Sequence, residues 1–172
     1  MTTAAATPTT TQVFRVYIKA TPEAIWAAIT APEWTRKYGM AAPVEFDLRP
    51  GGTFRATATD EMRQAGAAMG YTIPDVIVDG EVLACDPPRR LVQTWRMLMD
   101  PETAAEGFTR LTYEITPAEA GVSKLTVTHD VSGAPRTDAL VSGALDGPGM
   151  GGWPWLLSDL KTLLETGAAF TR

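Results

Sequence analysis

The chain has 172 residues, 45% of them hydrophobic and 20% charged, with a formal net charge of -5. That length suits one domain with a sizeable core. The acidic balance argues against a nucleic-acid-binding face, and no apolar run approaches the roughly 18 residues of a membrane span.

The chain opens on a Thr/Ala-rich stretch, residues 1–12, that lacks the basic start and apolar run of a secretory leader and reads as a disordered tail. Val13 to Lys19 alternates, with Phe14, Val16 and Ile18 on one face, and predicts a strand. Thr21-Pro22-Glu23 then supplies a cap, a proline for the first helical position and an acid for the positive helix end. The helix continues through Ile25, Trp26 and Ile29. Pro32-Glu33-Trp34 opens a second short helix, which the spacing ends at Gly39.

From there the period is 2. Val44 to Leu48 and Thr53 to Thr59 read as a hairpin about Pro50-Gly51-Gly52. The Pro-Gly-Gly turn is no phosphate loop, because no Lys-Ser/Thr follows it and it opens no helix. Residues 60–74 are too long for a plain hairpin loop and read as an insertion with room for a helical turn. Asp75 to Asp86, Leu91 to Met99, Phe108 to Thr116 and Leu125 to Asp130 read as four further strands. The Gly-rich stretch 132–152 has the composition of a mobile loop or lid, with a helical turn at Thr137 to Leu145. Trp153, Leu156, Leu157, Leu160, Leu163 and Leu164 recur at helical spacing up to Gly167 and define an amphipathic C-terminal helix.

Hairpin-linked strands with segregated helices give an α+β fold over residues 13–168. In it a curved antiparallel sheet of about six to seven strands wraps round the long C-terminal helix, with two short helices after strand 1.

Five stretches carry a resemblance. They are Thr21-Pro22-Glu23-Ala24-Ile25-Trp26 with Pro32-Glu33-Trp34; Asp47-Leu48-Arg49-Pro50-Gly51-Gly52-Thr53-Phe54-Arg55; Gly80-Glu81-Val82-Leu83 with Asp86-Pro87-Pro88-Arg89-Arg90-Leu91-Val92; Thr94-Trp95; and Thr126-Val127-Thr128-His129-Asp130 with Gly152-Trp153. In this order, over roughly residues 12–166, the chain resembles the activator of Hsp90 ATPase homologue 1-like branch of the SRPBCC superfamily. The resemblance implies the helix-grip fold shared by Bet v 1, START and polyketide-cyclase proteins. Relatives sharing that fold bind lipids, hormones or polyketides, and some catalyse cyclisation, dehydration or aromatisation. The matching pieces are turns, helix starts and core positions, so the resemblance carries over no catalytic residue.

Strand parity nominates the interior. Trp95 and Gln93 share the parity of Leu91, and Tyr113 that of Leu111 and Ile115; if these faces look inward, their polar tips enter an apolar chamber and read either as ordinary core groups with backbone partners or as groups partnered by a ligand or an ordered water. His129 shares the parity of Leu125 and Val127. It reads either as a satisfied structural histidine or as a base near the cavity mouth. Asp130 falls on the opposite face and cannot orient the ring. Trp34, Tyr38 and Met40 lie by the second helix, at the expected entrance. Met62, Met69, Met97, Met99 and Met150 are candidates for an adaptable lining. Trp26 and Trp153 read as helix-to-sheet packing, with Trp153 also placed at the ligand. Arg55 and Arg96 fall on outward parities. Glu81 sits on a strand that is apolar on both faces; pointing inward it would be a buried acid, best paired with His129. One Cys and one His exclude a tetrahedral Cys/His metal site and a disulfide framework, and Cys85 reads as a small buried hydrophobe.

The leading expectation is therefore a cytoplasmic, cofactor-free protein that binds a hydrophobic or aromatic small molecule through Trp34, Tyr38, Met40, Gln93, Trp95, Met97, Tyr113, His129 and Trp153. The 132–152 and 60–74 segments would gate the chamber. An interior void of about 300 Å³ or more marks such a site, whereas a filled interior marks a scaffold. Two alternatives stand beside it. One is a cyclase or dehydratase using His129 with Glu81 or Tyr113. The other is an Hsp90 co-chaperone-like interaction or stress-response module. Pairing into a homodimer fits the commonest oligomer class.

Overall fold

The computed structural model describes residues 9–147 and 149–171. Residues 1–8 of the expected tail lie outside the described residues, while Thr11 and Gln12 already pair within the sheet. Strand β1 (Thr11–Ile18) turns inward every second side chain, through Gln12, Phe14, Val16 and Ile18. Helix α1 (Pro22–Thr30) starts where Thr21 accepts the Ala24 N–H at 3.2 Å, and it buries Ile25, Ala28 and Ile29. Helix α2 (Pro32–Thr35) is a single turn. It stops well short of the expected Gly39: after Thr35 the chain passes through a turn in which Gly39 takes φ +58°.

The remaining strands are β2 (Val44–Phe46), β3 (Thr53–Thr57), β4 (Val76–Asp86), β5 (Arg90–Met97), β6 (Thr109–Pro117) and β7 (Ser123–Asp130). All seven form one antiparallel sheet in the order β1-β7-β6-β5-β4-β3-β2. Helices α1 and α2 carry the chain from one edge strand, β1, to the other, β2.

Three further elements differ in extent from their sequence reading. The insertion after β3 is a full helix, α3 (Asp60–Ala68), nucleated by Thr59, whose hydroxyl accepts the Met62 N–H. A one-turn helix the periodicity did not signal, α4 (Pro101–Ala104), is capped by Asp100. Within the Gly-rich stretch lies α5 (Pro135–Ser142).

The last helix, α6 (Gly152–Thr166), ends at Gly167 with φ +85°. It buries Trp153, Leu157, Leu160 and Leu163 against the inner face of the sheet. The α5–α6 junction requires glycine: a Cβ on Gly152, which has φ +58°, would lie 2.4 Å from the Val141 carbonyl oxygen. Beyond α6, Phe170 and Thr171 donate their N–H groups to the fully buried Asp159, so the packed chain runs past the expected limit at 168. No helix among the described residues is long and apolar enough to cross a membrane.

Candidate functional site

The registers align the interior. Leu91 pairs with Tyr113 and Tyr113 with Val127; one step along, Gln93 faces Leu111 and Leu111 faces His129; Trp95 faces Thr109. All of these turn toward α6, as the parity argument predicts. Between the sheet and α6 lies a cavity of about 190 Å³. Its walls are apolar side chains of the inner sheet face, α1, α5 and α6, among them Ile29, Phe46, Phe54, Ile77, Val141, Leu157 and Leu160. The volume is below the 300 Å³ expected from the sequence, because Trp153 and the α6 leucines fill much of the gap.

Of the candidates, Tyr38, Met40, Trp95, Met97, Tyr113 and Trp153 line this cavity. Trp34 does not: α2 turns Thr35 to the wall, and Trp34 packs at the core's edge with the Lys37 ammonium 4.2 Å above its ring. Gln93 is fully buried on the inner face but lies outside the lining, and neither of its amide atoms has a hydrogen-bond partner among the described residues. Met62 and Met99 pack at the core's edge, while Met69 and Met150 are exposed. The expected gates separate. Leu140, Val141, Gly149 and Gly152 of the 132–152 stretch reach the cavity, whereas no residue of 60–74 does.

His129 also lies behind the wall. The Trp153 indole N–H can only donate, and it does so to His129 Nδ1 at 3.1 Å. The neutral ring therefore carries its hydrogen on Nε2 and donates to Thr109 Oγ1 at 2.7 Å, and the Thr109 hydroxyl donates to the Trp95 carbonyl at 2.9 Å. Both ring nitrogens are engaged, and burial pushes the imidazole pKa down from 6.5 to about 4. Trp95 and Trp153 meet the ring edge-on at centroid distances of 5.2 and 6.1 Å. This is the structural histidine of the two sequence readings.

Glu81 corrects the acid/base expectation. It is exposed, because Val82 takes the buried position on this stretch of β4. The pairs His129–Glu81 and His129–Tyr113 are not formed, since His129 is held by Thr109 and Trp153. Cys85 is half-buried rather than buried, and burial with the nearby Asp86 raises its pKa. Arg55 is exposed as expected. Arg96, on the outer face, forms a bidentate pair with Asp79 and lies over the Phe108 ring.

The sequence reading missed Asp159 and the cavity walls beyond its aromatics. Asp159 accepts the Gly39 N–H at 2.8 Å as well as the C-terminal N–H groups, and so holds the Tyr38–Met40 rim to α6. The available signal was an acid three residues after Leu156 and four before Leu163, inside the apolar stripe. A second recess of about 340 Å³ between β1 and α6 is lined by seven residues, of which Val13, Arg15, Pro154 and Ser158 are exposed, so it is a surface groove.

The sequence matches the family described as Activator of Hsp90 ATPase homolog 1-like protein over residues 19–165. The chain belongs to this family. Solved structures share its fold. The Mesorhizobium loti protein MLL2253 is 26% identical, with 90% of this chain and 96% of that one covered and a TM-score of 0.63. The Aha1 dimer from Colwellia psychrerythraea is 19% identical over 92% of this chain and 98% of that one, with a TM-score of 0.61. CalU16 from Micromonospora echinospora is 19% identical over 75% of this chain, with a TM-score of 0.53, and the chain spans 64% of its length. At such identities the last two speak for the family's helix-grip fold alone. No curated protein matches the chain.

Proposed function

We propose that the cavity under α6 binds a small, neutral, apolar molecule of one or two rings. The observation that carries this reading is the cavity itself: about 190 Å³ of space walled by aliphatic and aromatic side chains with no charged residue among them. A dry apolar cavity of about 150 Å³ is enough to hold benzene, and an apolar wall with a few polar tips is the usual form of a small-molecule site. The α5–α6 junction contributes Val141 and Gly152 to the wall. The test is titration of indane into the full chain, followed by the indole and methyl resonances. Saturable binding is expected, and Ala56→Leu, which grows a buried wall residue into the space, is expected to abolish it. Unchanged binding by Ala56→Leu would place the indane elsewhere and end this reading.

Family membership favours a second reading, contact with an Hsp90-type ATPase, with a second copy of the chain as a further partner. Stimulation of a bacterial Hsp90 ATPase by the protein supports it, and an unaltered ATPase rate at saturating protein removes it. Sedimentation decides the dimer.

A further inference from the structure

From the polar groups on the cavity wall we infer that its ligand carries a neutral hydrogen-bond acceptor, such as a ketone, aldehyde or ether oxygen, and that the Tyr113 hydroxyl selects it. The inference rests on the cavity-binding reading above. Three of the six side chains on the wall that carry nitrogen or oxygen are already satisfied. Thr35 donates to the Pro32 carbonyl and accepts the Val44 N–H. Tyr38 donates to the Ala28 carbonyl at 2.9 Å. Trp153 donates to His129. The other three differ: the Tyr113 hydroxyl and the Trp95 and Trp155 indole N–H groups have no hydrogen-bond partner among the described residues, and none of these atoms belongs to the side-chain groups sealed from solvent; Trp155 stacks edge-on against Phe170 at the chain's end, whereas Tyr113 and Trp95 stand on neighbouring strands of the sheet. The wall therefore offers hydrogen donors with no protein acceptor to receive them.

Chemistry narrows what can fill that role. Burial and the neighbouring Tyr38 hold the Tyr113 pKa well above the usual phenol range, so its proton stays in place as a donor. A carboxylate or phosphate ligand would enter an apolar space without a cation to meet it, since no Lys or Arg lines the wall. A pure hydrocarbon would leave the donors unpaired, and an ammonium would confront them with more donors. A neutral oxygen acceptor on a one- or two-ring body satisfies both the shape and the donors.

The test compares 1-indanone with indane, which share a ring body and differ in the carbonyl, on the wild-type chain and on Tyr113→Phe. Removing one selecting hydrogen bond is expected to weaken 1-indanone by about fivefold to tenfold while indane stays within about twofold. The infrared carbonyl stretch of bound 1-indanone is expected to shift to lower frequency in the wild type and to return in Tyr113→Phe. Equal effects of the substitution on both probes, or an unshifted stretch, overturn the acceptor inference and leave hydrocarbon binding standing. Failure of the wild type to bind either probe overturns both readings together.

Discussion

His129 and Tyr113 stand on neighbouring strands of one sheet face, both edge-on to the Trp153 ring, with centroids 6.1 and 6.0 Å from it. They look alike in the sequence: each is a polar ring on an inward parity. Their surroundings differ. Every polar atom of His129 is engaged within the protein, and the ring is out of reach of the cavity. The Tyr113 hydroxyl is engaged by nothing among the described residues, and Tyr113 lines the cavity. A buried polar group that is fully hydrogen-bonded holds a fold together, whereas one left open toward a cavity is free to recognise a ligand.

That contrast predicts opposite responses to substitution. His129→Ala should show the largest effect, a loss of about 4 kcal/mol by urea denaturation, because it opens a void and strands the Trp153 N–H and the Thr109 hydroxyl. A loss below about 1 kcal/mol would mean the ring is not a structural keystone. Acid titration probes the same site without mutation. The unfolded imidazole titrates at 6.5 and the folded one at about 4. Between those values the unfolded chain binds a proton that the folded chain refuses. The His129 contribution is therefore whole above pH 6.5, falls as the pH drops toward 4, and falls no further below it, for a total of roughly 3 kcal/mol. Carboxylates with lowered pKa values, such as Asp100 at about 2, act lower on the pH scale. His129→Gln should flatten the upper window; an unchanged pH slope in that variant would assign the effect to other groups.

Gln93 sharpens the comparison from a third direction, since it is sealed like His129 and unpartnered like Tyr113. Gln93→Met removes an orphaned amide at similar volume and is expected to raise stability by about 1–2 kcal/mol, read as a higher urea midpoint with unchanged slope. Destabilisation would show that the amide has a partner in solution. Smallest of all, Tyr113→Phe should change stability by less than about 0.5 kcal/mol, since no protein hydrogen bond is lost. A larger loss would make Tyr113 a second structural ring.

Much of this was legible in the alternation and capping of the chain. Phe14, Val16 and Ile18, the Thr21-Pro22 start and the Gly167 stop fall where the local rules put them, because each depends on near neighbours in sequence. Parity also placed Trp95, Tyr113 and His129 on the inner face. Parity could not tell a wall residue from one behind the wall. That distinction depends on Trp153 reaching across from α6 to His129, a contact between residues 24 apart in sequence. Glu81 was ambiguous because Val82 and Leu83 are both apolar, and only the pairing of β4 with its neighbours sets which one faces inward. Of the two expected gates, one was marked by Met62, Met69 and Tyr71 and the other by its glycines, and only the Gly-rich 132–152 stretch is carried to the cavity by its junction with α6.

The central claim, that a small molecule occupies the space beneath α6, is tested most directly by intermolecular nuclear Overhauser effects between bound 1-indanone and the protein. The account predicts contacts to Trp95, Tyr113, Val141 and Leu157, which meet only at that cavity. Contacts confined to exposed side chains such as Met69, Tyr71 and Phe170 would contradict it.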